Sequence, residues 1–116
     1  MDIPSTRELR LLHTKICKSL GDPKRIQILY SLYEQPSNVS GLSDVMGYPQ
    51  PTVSRHLAIL RQSSLVIAER DGQMVNYRLA DPRIIDILDS MRTLLRDSLE
   101  RQSSALVETG DQLEIS

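Results

Sequence analysis

The chain contains one cysteine, Cys17, in 116 residues. A single thiol excludes an internal disulfide framework, and alone it cannot supply a four-thiolate metal site. Long apolar runs are also missing, since no stretch approaches the roughly 20 apolar residues that a membrane-spanning helix requires. The N-terminus, MDIPSTREL, has no basic segment leading into an apolar one, so a secretory signal is not expected and the cytoplasm is the expected compartment. Two histidines, one cysteine and no glycine-rich phosphate loop leave no convergent set of acid, base and nucleophile. An enzyme is therefore not expected, and Asp86 and Asp89 read as the solvated face of a helix rather than a catalytic pair. Internal repeats and low-complexity segments are absent.

What is present is ordinary globular composition, 40% hydrophobic and 25% charged, in a length suited to one domain. A formal net charge of −1 argues against an indiscriminate polyanion binder. The charges are unevenly placed, however. Residues 1–80 hold 10 Lys and Arg against 7 Asp and Glu, whereas residues 81–116 hold 4 against 8. One part is thus suited to facing phosphates and the other to facing away from them.

Leu9, Leu12, Ile16 and Leu20 recur at spacings of three and four and predict a first helix over 7–20, stopped by Gly21. Asp22 before Pro23 reads as an N-cap with proline in the first turn, and Ile26, Leu29, Tyr30 and Tyr33 carry a second helix to Gln35-Pro36. Val39, Leu42, Val45 and Met46, closed by Gly47, predict a short third helix. A fourth restarts at Pro49-Gln50-Pro51-Thr52 and ends near Gln62-Ser63-Ser64, with Val53, Leu57 and Leu60 as a narrow apolar stripe. The period then changes to alternation. Residues 65–70 and the Val75, Tyr77, Leu79 series predict two strands joined at Asp71-Gly72, where glycine accepts the positive φ of a tight turn. Ile84, Ile87, Leu88, Met91, Leu94, Leu95 and Leu99 mark a long fifth helix ending near Ser103. The expected fold is mainly α with a small β-hairpin between the fourth and fifth helices, one domain over 1–104 followed by an acidic, disordered tail over 105–116.

A short helix, a turn at Gly47 and a second helix form a helix-turn-helix, and the hairpin behind it forms a wing. No carboxylate occurs in residues 50–64, while Gln50, Thr52, Ser54, Arg55 and Arg61 supply donors and positive charge suited to the major groove of double-stranded DNA. Arginine pairs with guanine, glutamine with adenine, and hydroxyls reach bases or phosphates, so Arg55, Gln50 and Thr52 are the candidate base readers. The same polar residues also suit a helix face that is merely solvated. His56, beside the apolar stripe, has either a hydrogen-bonding role inside the motif or a phosphate contact. Arg70 and Gln73 at the wing tip, with Arg78, are candidates for the DNA backbone or an adjacent minor groove, and Lys24 and Arg25 for phosphates.

The segments KSLGDPKRIQILYSL and GYPQPTVSRHLAILRQSSLVIAERDGQMVNYRL resemble the ArsR/SmtB family of winged-helix repressors, over residues 9–103. The most specific pieces are D-P-x-R-x-x-I-L at 22–29, T-V-S-R-H-L at 52–57 and the wing at 65–79. The resemblance implies a homodimer joined through the first and last helices, with Leu9, Leu12, Ile16, Ile87, Leu88, Met91 and Leu95 at the interface. It also implies recognition helices in successive major grooves of a near-palindromic operator, and repression relieved by an inducer that the sequence does not name. The fifth helix is more apolar than a solitary exposed helix should be, which points to a partner independently of the resemblance.

Many members of that family sense metals. Where they carry cysteines on the third helix, this chain reads Asn38-Val39-Ser40, which offers no thiolate to a soft metal. Where others place two carboxylates and two histidines on the fifth helix, it has Asp81, Arg83, Leu94 and Asp97, and neither a guanidinium nor an isobutyl group coordinates zinc. No metal or other cofactor is expected. His13 and Cys17 lie four apart as a possible ligand pair, although a buried, packing cysteine is the expected role. Two alternatives accompany the main reading: a thiol-responsive regulator acting through Cys17, and a winged-helix module that binds protein.

Overall fold

The computed structural model describes the backbone of residues 2–109 and the side chains of residues 2–105. The chain divides into two compact units, Met1–Pro82 and Arg83–Ser116.

In the first unit α1 spans Thr6–Leu12, with the Ser5 hydroxyl accepting from the Glu8 N–H. The expected single α-helix over 7–20 does not persist: His13–Cys17 is a π-helical turn and Lys18–Leu20 a 3₁₀ turn. Within the π-helical turn the Thr14 hydroxyl donates to the Arg10 carbonyl at 2.9 Å. The Lys18 N–H reaches back five residues to the His13 carbonyl, as in a π turn.

Helix α2 spans Pro23–Glu34 and α3 Val39–Met46. The Asp22 carboxylate accepts from the Lys24 N–H at 2.8 Å, and Asn38 caps α3 through the Gly41 N–H at 2.7 Å. Gly47 closes α3 in the left-handed region, φ 75°, which a side chain would resist. Helix α4 spans Gln50–Gln62, and strands β1 (Val66–Asp71) and β2 (Met74–Leu79) pair antiparallel with Asp71 opposite Met74. Their two-residue loop has positive φ only at its first position, Gly72 at 65°, as in a type II′ turn.

The core of this unit is Ile28, Leu29 and Leu32 of α2, Leu42 of α3, Val53, Leu57 and Leu60 of α4, and Leu65 and Val66 at the start of β1. Helix α4 packs on α2, α3 and β1, and α2 packs also on β2. On α2 the buried positions are Ile28, Leu29 and Leu32, so the inner face is rotated from the expected one, and Tyr33 is exposed. Val45 of α3, expected on the apolar side, is 75% exposed.

The second unit contains α5, Arg83–Thr109, which continues past the expected end near Ser103. Residues 110–116, most of the expected acidic tail, lie outside the described residues. Ile84, Ile85 and Leu88 of α5 are buried. No helix among the described residues is long and apolar enough to cross a membrane.

Candidate nucleic-acid interface

The turn between α3 and α4 is fixed from several sides. The Ser43 hydroxyl donates to the Tyr48 carbonyl at 2.6 Å, the Tyr48 hydroxyl donates to the Gln27 side-chain oxygen, and the Lys24 ammonium lies 5.1 Å from the Tyr48 ring centroid. Lys24 therefore braces the turn. At the other end of α4 the Leu65 N–H reaches the Leu60 carbonyl and the Ser64 N–H the Arg61 carbonyl, both at 3.0 Å. This is a Schellman closure with Ser64, rather than glycine, in the left-handed position at φ 62°.

Between these ends α4 has two distinct faces. Val53, His56, Leu57 and Leu60 are buried, while Gln50, Ser54, Arg55, Ala58, Arg61 and Gln62 are exposed and Thr52 is half-buried. Burial of the apolar face fixes the rotation of the helix, so the donors at 54, 55 and 61 project from one solvent-facing stripe. Gln50 is exposed in the first turn.

His56, on the inner side of α4, does not face solvent. It is 5% exposed, and its Nδ1 accepts from the Arg25 guanidinium at 3.2 Å, which leaves the proton of the neutral ring on Nε2. Burial pushes its pKa below the usual histidine value; Arg25, Arg55 and Lys24 act in the same direction, and Asp22 opposes them. Arg25, read from sequence as a phosphate candidate, is a clamp instead. Its Nε donates to the Ser19 carbonyl at 2.7 Å, Nη2 lies 3.4 Å from the Lys18 carbonyl, and Nη1 is 3.9 Å from Asp22. The hydrogen bond from the Lys24 N–H, more than any neighbouring cation, holds the Asp22 carboxyl below its ordinary value. A hydrogen bond between the Ser19 and Ser63 hydroxyls adds a second tie to the end of α4.

On the wing, Arg70 and Gln73 are exposed. Arg78 is committed to Glu69 on the neighbouring strand, at 2.6 Å. An isolated bridge between Ser37 and Tyr77, with N–H to carbonyl distances of 3.0 and 2.8 Å, ties β2 to the chain just before α3. This holds the wing against the helix-turn-helix.

The expected interface residues divide. Leu9, Leu12, Ile87, Met91 and Leu95 are between 43% and 58% exposed, and Ile16 is half-buried. Leu88 is 3% exposed. Cys17 is exposed on the π-helical turn His13–Cys17, contrary to the buried role expected from sequence.

The family's metal positions do not fit a metal. The Asn38 oxygen is used in its cap and its amide nitrogen faces the Met74 sulfur at 3.2 Å, and Arg83 and Leu94 supply no ligand. Among the described residues no three His, Cys, Asp or Glu side chains gather as a metal-binding group.

A helix-turn-helix with a carboxylate-free outer face, followed by an antiparallel two-stranded wing, defines a winged helix-turn-helix protein. The family described as bacterial regulatory protein, arsR family, matches residues 22–68. The chain belongs to this ArsR family. The transcriptional repressor SmtB of Mycobacterium tuberculosis is 39% identical over 85 residues, 73% of this chain and 63% of that protein. An uncharacterised HTH-type transcriptional regulator of Methanocaldococcus jannaschii is 39% identical over 75 residues, 64% of this chain and 84% of its own length. The solution structure of a homodimeric winged helix-turn-helix DNA-binding domain from Mycobacterium bovis, a possible ArsR-family regulator, aligns with a TM-score of 0.70 at 27% identity, covering 87% of this chain and 95% of that one. The chain spans between 56% and 63% of the length of the first curated relatives it matches.

Proposed function

We propose that the chain is a sequence-specific DNA-binding transcriptional regulator, a cytoplasmic homodimer that represses from a near-palindromic operator and catalyses no reaction. The observation that carries this reading is the outer face of α4, where Ser54, Arg55 and Arg61 stand together with no carboxylate between residues 50 and 64. Arg55, Gln50 and Thr52 read bases, while Ser54, Arg61, Arg70 and Gln73 bind the backbone or groove edges. His56 acts from inside, by holding α4 on Arg25. The exposed apolar residues of α1 and α5, Leu9, Leu12, Ile87, Met91 and Leu95, support dimerisation through the terminal helices, and two copies then present their recognition helices one DNA turn apart. The inducer is not a metal held at the two family positions, which lack the thiolates of the one and the imidazoles of the other.

Recovery of bound genomic fragments, followed by titration of the shared sequence at several salt concentrations, tests the reading. Log affinity should fall linearly with log salt by several units, and Arg55→Ala should cost about 1–3 kcal/mol with relaxed sequence preference. Salt-independent binding, or operator affinity untouched by Arg55→Ala, refutes it. The exposure of Cys17 favours one second reading, in which modification of this thiol relieves repression. Cys17→Ser should then abolish release by a thiol oxidant, and release that persists in the variant excludes that reading.

A further inference from the structure

We infer that Arg61, Tyr77 and Ser54 form a seat for one DNA phosphodiester, in a cleft between the recognition helix and the wing; this rests on the DNA-binding reading above. The cleft has a volume of about 430 Å³ and is lined by Ser54, Ala58, Arg61, Gln62 and Tyr77. Four of the five carry donors, none is a carboxylate, and the fifth, Ala58, leaves a low floor over which a sugar-phosphate strand can approach. Among the described residues neither the Arg61 guanidinium nor the Tyr77 hydroxyl has a hydrogen-bond or ion-pair partner. Arg78, one residue further along β2, is spent on Glu69.

The placement is built by the fold rather than by side-chain chance. Ser54, Ala58 and Arg61 stand at intervals of four and three on the exposed stripe of α4. Tyr77 lines the same cleft, its backbone held by two hydrogen bonds to Ser37 just before α3. A cation and neutral hydroxyls converging without a counter-charge match a singly charged phosphodiester, which needs positive charge and several donors. Arg61 is thereby separated in role from Arg55: it fixes register on the backbone and carries no base preference.

The test uses the full-length protein and operator duplexes in which single phosphates are replaced by neutral methylphosphonates. Arg61→Gln should weaken operator and random duplex alike by about tenfold and lower the salt slope by about one unit per protomer. Tyr77→Phe, which keeps the ring, should weaken binding several-fold with the slope unchanged. One methylphosphonate position per half-site should cost wild type affinity and cost both variants much less. The seat is overturned if the variants bind as wild type, if Arg61→Gln alters sequence preference, or if every methylphosphonate acts equally on wild type and variants. Wild-type binding with a steep salt slope in those outcomes leaves the DNA-binding reading standing, whereas loss of salt dependence removes both.

Discussion

Replacing Arg25 with methionine keeps a long side chain in place but withdraws every donor of the guanidinium. The Ser19 carbonyl, 2.7 Å from Nε, and the His56 Nδ1, 3.2 Å from Nη1, then lose their partner, and both residues are only 5% exposed. A buried acceptor left unpaired costs about 1–3 kcal/mol. The 3.9 Å ion pair to Asp22, whose side chain is 35% exposed, adds little. The expected loss is therefore about 2–6 kcal/mol, a large fraction of the 5–15 kcal/mol that stabilises a typical domain. Arg25→Lys should recover less than half of it, because a single ammonium cannot span two acceptors that the planar fork reaches together. Urea unfolding followed by far-ultraviolet circular dichroism reads the effect as a midpoint lowered by about 1–2 M for the methionine variant. Protein concentration must be held fixed, since the stability of a dimer moves with it. A methionine variant within about 0.5 kcal/mol of wild type would show that the clamp stabilises nothing, and a lysine variant equal to wild type would show that the planar fork is not needed.

Acid should weaken the fold through His56, because its pKa is lowered in the folded chain and the unfolded chain takes up the proton first. This contribution is complete above the ordinary value near 6.5 and is lost as pH falls through the lowered one; His56→Gln should flatten that segment of a stability–pH curve. Ser64→Gly relieves a left-handed residue at the end of α4 and should stabilise by about 0.5–1 kcal/mol, seen as a melting temperature higher by a few degrees. Met91→Asp combined with Leu95→Asp should convert a dimer into a folded monomer by sedimentation, with operator affinity falling steeply; an intact dimer would place the interface elsewhere.

Elements with strong local chemistry were legible from sequence. Asp22-Pro23, Gly47 and Asp71-Gly72 mark the start of α2, the end of α3 and the wing turn, because each needs a cap or a positive φ that few residues supply. The face of α2 was harder to read: Ile26 and Ile28 are both apolar, and only packing decides that Ile28 is the buried one. The break in the first helix runs against a periodic pattern that favours a continuous helix, and no glycine or proline within 13–20 marks it in the sequence. The inward turn of Arg25 and His56 was invisible as well. Residue type alone makes both good phosphate ligands, and it is their mutual hydrogen bond, 31 positions apart in the chain, that withdraws them from the surface. A sequence signal existed in the adjacency of His56 to the Val53, Leu57 and Leu60 stripe. Tyr77 was legible as part of a strand but not as part of a cleft, because its neighbour Arg61 is brought to it only by tertiary packing.

Arg55 and His56 are adjacent on α4 yet point to opposite environments, one exposed and the other nearly sealed. A helix turns about 100° per residue, so anything that lets His56 rotate outward swings Arg55 along the groove by a comparable arc. Base recognition tolerates little of this, because a bidentate contact loses its geometry with displacements of well under a bond length. The Arg25 clamp thus bears on sequence discrimination without touching DNA. Its weakening should lower affinity for the operator more than affinity for random duplex, the opposite of the uniform loss expected when a phosphate ligand such as Arg61 is removed.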